Sequence, residues 1–213
     1  AELFYAQRWV TTPAPQAPAG LGQVLLFETD PRRGDALAAA GRVWRVRPGA
    51  AFAALGDDAY TIDPRNRDDY VRLIEAVRGA GWNSGKLCFA WPLDARPDTV
   101  EATLDLGFHA LLFLCQALMA GKSKQAVQLL CAHGGDGEEA DPLDVALAGF
   151  ARTVRLENPR IECKVLHLDR AAAAPDRFAA CVGVELDERT RQAVAVRWVD
   201  GVRAERTLYR LDD

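Results

Sequence analysis

The sequence contains no C-x-x-C pair, no G-x-G-x-x-G run, no G-x-S-x-G elbow, and only two serines, Ser84 and Ser123. Each absence closes off a chemistry. Its five cysteines, Cys88, Cys115, Cys131, Cys163 and Cys181, lack the spacing of a zinc ribbon or a dithiol redox centre. Several lie in apolar runs, where a thiol behaves as a small hydrophobe. An odd number of cysteines without a signal peptide leads us to expect a reducing, cytoplasmic setting. Basic residues occur singly or in pairs and the net charge is -4, which argues against a general affinity for nucleic acid or anionic lipid. The most apolar stretch, LGFHALLFLCQALMAG, is interrupted by His109 and Gln116 and is expected to be too short to span a bilayer.

What is present is an alternating pattern. At 213 residues and 49% hydrophobic, the chain can bury one substantial core or two small ones. The opening LFYAQRWV has strand composition, and TTPAPQAPAG follows as a loop stiffened by its three prolines. Short apolar runs then recur at residues 24–27, 43–46, 87–91, 127–132 and 163–168, with helical stretches between most of them. This alternation predicts a parallel sheet with helices on both faces. The continuous runs suit central strands, whereas VWRV (43–46) and VAVRWV (194–199) alternate and are expected at the edges.

Helix starts are legible. Asp30-Pro31, Asp63-Pro64 and Asp141-Pro142 each place a carboxylate at an N-cap and proline at the first helical position. Tyr70, Ile74 and Val77 form one buried stripe, and Gly79 and Gly81 end that helix; Leu143, Leu147, Phe150 and Val154 form another, ended by ENP. The segment from Thr99 to Ala120 is apolar nearly all round and belongs in the core or at an interface. Two strand-like runs flank Asp200-Gly201, a hairpin signal, and the last strand is expected to pair with LFYAQRWV.

The first strand–helix turn is where a dinucleotide fold binds pyrophosphate, because glycines open the backbone amides to it. Here the turn reads Phe27, Glu28, Thr29, Asp30, Pro31. A carboxylate about 5 Å from a phosphate repels it by roughly 3 kcal/mol at an effective dielectric near 20. Pro31 removes an amide, and Asp30 is expected to occupy the amide nest itself. Gly20, Gly22 and Gly34 are too dispersed to form a cradle. GKS at 121–123 lacks the upstream glycine of a P-loop, since Gln116 stands there. Arg45 and Arg47 read as solvated edge residues. No tyrosine has a lysine four residues on: Tyr5, Tyr60, Tyr70 and Tyr209 are followed at that spacing by Trp9, Pro64, Ile74 and Asp213. Cys131 and His133 share a strand face and read as a packing thiol beside an exposed histidine. His109 and His167 read as lone structural histidines. Asp68-Asp69 and Glu138-Glu139 read as solvated charge. The residues thus nominate no catalytic, cofactor-binding or metal-ligating set.

The ordered series LFYAQRWV, YTIDPRNRDDYVRLIEAV, KLCFAWPLD, LDLGFHALLFLCQALMAG, VQLLCAHGG, DPLDVALAGFARTVRLENPRIECKVLHLD and VGVELDERTRQAVAVRWVDGVRAERTLYRL resembles the structural subdomain of a modular polyketide synthase ketoreductase. The resemblance covers nearly the whole chain. It implies an α/β, Rossmann-like three-layer fold with a mostly parallel sheet, a degenerate nucleotide site and a terminal antiparallel hairpin. Residues 1–213 would form one subdomain, with 1–20 as its N-terminal strand and proline-rich loop. In that family the catalytic half carries NADPH and the Ser/Tyr/Lys/Asn set, and this chain has no positions onto which they carry over. The resemblance therefore implies a chain that is not itself an enzyme, binds no cofactor, and is partnered by the catalytic ketoreductase subdomain or neighbouring synthase domains, within a parent synthase that can be homodimeric. Two alternatives stand beside it. One is a fragment of an active NADPH-dependent β-ketoacyl-carrier-protein ketoreductase. The other is an unrelated Rossmann-like partner-binding module.

Overall fold

In the computed structural model the described residues are 4–16, 18–93, 99–121, 125–135, 142–187, 190 and 192–211. The continuous apolar runs form the middle of a ten-stranded sheet: β2 (Gly22–Phe27), β6 (Lys86–Phe89), β7 (Val127–Gly134) and β8 (Ile161–Leu168). These strands pair in parallel in the order β2, β6, β7, β8. Strands buried on both faces need apolar side chains at successive positions. Val24 and Leu26 accordingly face one core while Leu25 and Phe27 face the other. Each such side chain contributes about 1.5–3 kcal/mol of burial.

Beyond β2 lie β3 (Gly41–Pro48) and β5 (Ala59–Ile62), both parallel, with β4 (Ala53–Ala54) antiparallel at the rim. Beyond β8 lie β9 (Ala195–Val199), β10 (Val202–Leu211) and β1 (Phe4–Thr11). The two alternating segments are thus not edge strands, as their pattern suggested. β5 and β4 lie outside β3, and β10 and β1 lie outside β9. Their polar positions have other causes: Arg45 and Arg47 face a buried carboxylate, and Arg197 stacks on Trp9 with its guanidinium carbon 4.9 Å from the ring centroid.

The hairpin is as expected. Asp200 and Gly201 have φ of 51° and 76°, the left-handed pair of a type I′ turn. β1 pairs antiparallel with β10, from Phe4 opposite Leu211 to Thr11 opposite Ala204.

Helices cover both faces. α1 (Pro31–Ala38) and α6 (Pro175–Glu185) pack over one core. α2 (Arg67–Gly79), α4 (Ala110–Ala120) and α5 (Pro142–Glu157) pack over the other. Asp30 caps α1 as read from the sequence, its carboxylate accepting the Arg32 amide at 3.0 Å. Asp63 does not cap α2. It closes a turn by accepting the Arg65 amide, and Asn66, three residues later, supplies the cap by accepting from Asp68. The Asp141 cap lies outside the described residues.

The apolar segment is one helical run in three parts: α3 (Val100–Leu104), a π-helical turn (Asp105–His109) and α4. At 21 residues it is long and apolar enough to cross a membrane, which the interrupted sequence did not suggest. It serves here as a core helix, with Ala110, Leu111, Leu114 and Cys115 buried. Val100 and Leu104 remain exposed on its outer side.

Candidate nucleotide crevice

The strand order reverses between β2 and β6, where β3 lies to one side and β7 to the other. In an open parallel sheet this switch point, at the carboxyl ends of the strands, is where a nucleotide binds. On the face toward α2 and α4 the crevice is filled by the chain's own side chains. Trp91, fully buried, sits against Phe27 and Phe89 with ring centroids 5.2 and 5.5 Å away, and donates its indole N–H to the Val46 carbonyl. The Ala90 amide closes onto the Phe27 carbonyl at 2.9 Å.

The turn after β2 is equally occupied. Asp30 takes the first α1 amide and also the Arg32 guanidinium at 2.8 Å, which together hold its carboxyl below the usual range. Glu28 is 1% exposed, and one of its oxygens accepts the Gly34 amide at 2.9 Å. A Cβ on Gly34 would lie 2.5 Å from that oxygen, so only glycine admits the carboxylate here. Arg47 and Arg45 stand 3.4 and 3.9 Å from the other oxygen, and Arg45 also binds Asp35 at 2.7 Å. These two arginines are the counter-ions of Glu28, not the solvated edge residues their positions suggested. Burial nevertheless outweighs them and pushes the Glu28 carboxyl up from its ordinary value.

On the other face, between α1 and α6 and over the carboxyl ends of β6, β7 and β8, lies an open cleft of about 540 Å³ lined by Asp30, Arg32, Arg33, Leu93, Gly134 and Asp169, among others. Much of its charge is already committed. Arg33 donates to the Ala173 carbonyl at 3.0 Å, and Asp169 accepts the Ala172 and Asp200 amides at 2.6 and 2.7 Å.

The remaining candidates are dispersed. Burial pushes all five thiols up, Cys163 and Cys181 to about 12, which removes the thiolate a nucleophile needs. Tyr70 is buried, donates to the Pro64 carbonyl and is pushed up as well. Tyr60 is buried and Tyr209 lies under Arg8. The Ser84 hydroxyl donates to the Gln23 carbonyl. His109 sits 3.0 Å from Asp105 across the π turn. Lys122, Ser123, Glu138, Glu139 and Asp213 lie outside the described residues.

Two readings of single residues are corrected. His133 is fully buried rather than exposed: its Nε2 meets Asp144 at 3.1 Å and its ring lies 5.0 Å from that of His167. Asp144 is also gripped by Arg206, which stacks on Trp9. Asp69 is buried rather than solvated, accepting the Asp63 amide at 3.0 Å and the Asn66 side chain at 3.2 Å.

The sequence reading missed one charged cluster entirely. Lys164 on β8 donates to the Glu185 carboxylate, the Glu185 carbonyl and the Thr190 hydroxyl at 2.9–3.1 Å. Arg203 on β10 grips the same carboxylate at 2.7 and 3.2 Å, and Trp198 donates to it at 3.0 Å. Arg203 also reaches Thr12, so the cluster joins both ends of the chain to α6. Burial pulls the Lys164 ammonium below its ordinary value, with Glu185 opposing. The available signal was a lysine inside CKVLHL and a glutamate inside CVGVELD, charges standing in core phase.

The fold agrees with solved structures at low sequence identity. An adenylation, ketoreductase and pseudo-Asub multidomain structure of a keto acid-selecting NRPS module matches with a TM-score of 0.81 and 21% identity, over 97% of this chain and 18% of that one. An N-terminal ketoreductase from the macrolactin assembly line matches at 0.76 and 18%, over 100% and 45%. A short-chain dehydrogenase/reductase from Brucella melitensis matches at 0.62 and 11%, over 88% and 98%. The chain thus spans less than half the length of the two assembly-line structures. No curated protein matches its sequence. A family profile described as beta-ketoacyl synthase-like, N-terminal, matches residues 22–183, most of the chain, and the chain belongs to that family.

Proposed function

We propose that the chain is a non-catalytic scaffold subdomain of an assembly-line ketoreductase, bracing a catalytic reductase half or neighbouring synthase domains during polyketide biosynthesis in the cytoplasm. The occupied turn carries this reading: the Asp30 carboxylate holds the Arg32 amide and Glu28 holds the Gly34 amide, positions a pyrophosphate would need. NADPH belongs to the partner half. The chain's own work is burial of surface. Val100 and Leu104 on α3, with Val145 and Leu156 on α5, supply exposed apolar side chains on the helical layer away from α1 and α6. Isothermal titration of the chain with NADPH tests the reading. No micromolar binding is expected, and a micromolar dissociation constant overturns it.

A second reading is favoured by length. The matched ketoreductase structures are more than twice as long as this chain, which suits a segment of an active NADPH-dependent ketoreductase acting on carrier-bound β-ketoacyl groups. A glycine-rich strand and a Tyr-x-x-x-Lys pair encoded after Asp213 would select it. An NRPS host is as compatible as a polyketide synthase, given the NRPS module among the structural matches.

A further inference from the structure

We propose that residues 12–16 and 18–21 form a polyproline-type strap, laid with one face on the chain's own fold, that pins the β1–β10 ribbon to the parallel sheet. The span sets the first requirement. β1 and β2 run parallel but stand six strand positions apart, roughly 29 Å at the usual strand spacing. The chain must leave at the carboxyl end of β1 and re-enter at the amino end of β2, so it also crosses the height of the sheet. The eleven steps from Thr11 to Gly22 reach about 34 Å at the polyproline rise, whereas a helical path would reach only about 16 Å. Only a nearly extended segment closes the distance.

Burial along the segment has a period of three. Thr12, Pro15 and Pro18 are half-buried and Leu21 is buried, while Pro13, Ala14, Gln16, Ala19 and Gly20 are exposed. Three residues per turn is the polyproline repeat; an α-helix and a strand do not give that spacing, and a 3₁₀ helix, which does, rises about 2 Å per residue and would reach only about 22 Å. Both ends are fastened. The Thr12 amide donates to the Arg203 carbonyl at 3.1 Å and its hydroxyl accepts from the Arg203 side chain. The Leu21 amide donates to the Ala40 carbonyl at 2.8 Å, its carbonyl accepts from Lys86, and its side chain lies against Gly183 of α6. Pro15 and Pro18 also form a P-x-x-P pair, the spacing that an aromatic groove on a partner reads. Those are the two prolines turned inward, so the segment serves its own fold and not an external reader.

Amide hydrogen exchange on the full chain tests the strap. Pro15→Gly with Pro18→Gly removes the inward face; Ala14→Gly with Ala19→Gly loosens the backbone equally at outward positions. Exchange across Phe4–Thr11 should accelerate about tenfold in the proline variant and less than twofold in the alanine variant, with β7 and β8 unchanged in both. No acceleration, an equal or larger effect of the alanine variant, or acceleration spread over β7 and β8 would each overturn the proposal.

Discussion

Glu28 and Glu185 are both buried glutamates facing two cationic side chains, yet they sit in opposite regimes. Glu185 is held by Lys164, Arg203 and Trp198 within 3.2 Å, so its lone pairs are well used. Glu28 has one amide and two guanidiniums at 3.4 and 3.9 Å, and burial outweighs them. A buried charge stabilises a fold only when its partners replace the lost water. The α6–β10 corner meets that condition, and the corner where a nucleotide would sit meets it only in part.

The largest expected effect separates these two corners. Glu185→Ala leaves Lys164 and Arg203 buried without their anion and should lower stability by about 3–5 kcal/mol in urea unfolding. Glu28→Gln keeps an acceptor for Gly34 and should cost about 1 kcal/mol or less. Equal losses would erase the distinction. Gly34→Ala drives a methyl against the Glu28 carboxylate and the Arg45 side chain and should cost about 1–2 kcal/mol by thermal or urea unfolding. Asp30→Ala removes a helix cap and should cost about 1 kcal/mol while leaving NADPH titration silent, because Glu28 still holds the Gly34 amide of the same helix turn. NADPH binding by that variant would mean that Asp30 alone closes the site.

The smallest effect is a slope with pH. The Glu28 carboxyl lies above its unfolded value near 4.5, so its contribution is fully present below that pH and is lost as pH rises through the folded value. Asp144 runs the other way. Burial works to raise it, but the His133 hydrogen bond and the Arg206 charge prevail and hold it below 3.8. Its contribution is present above that value and is lost as pH falls through the folded one. Glu28→Gln should therefore remove the stabilisation on mild acidification and leave the loss in stronger acid, as read from unfolding midpoints between pH 7 and pH 3.

What was legible in the sequence was local. The Asp30 cap, the Asp200-Gly201 turn, the Tyr70–Ile74–Val77 stripe and the layered α/β order follow from residues within a few positions of one another. Arg45 and Arg47 gave β3 the alternation of an edge strand because their partner, Glu28, is 17 and 19 residues away in sequence. The same separation hid the Lys164–Glu185–Arg203 cluster and the His133–Asp144–Arg206 contact, whose members lie on different elements. The occupied phosphate turn could be read because all its groups lie within residues 28–34. Its two counter-ions could not.

The pairing of the first strand with the last also fixes an order of events during synthesis. Phe4–Thr11 is synthesised about 190 residues ahead of Val202–Leu211, which is its hydrogen-bonded neighbour among the described strands. Until then an aromatic-containing strand stays without its mate, with backbone donors and acceptors open to other nascent chains. This delay makes the first strand, of the described strands, the one most in need of chaperone cover.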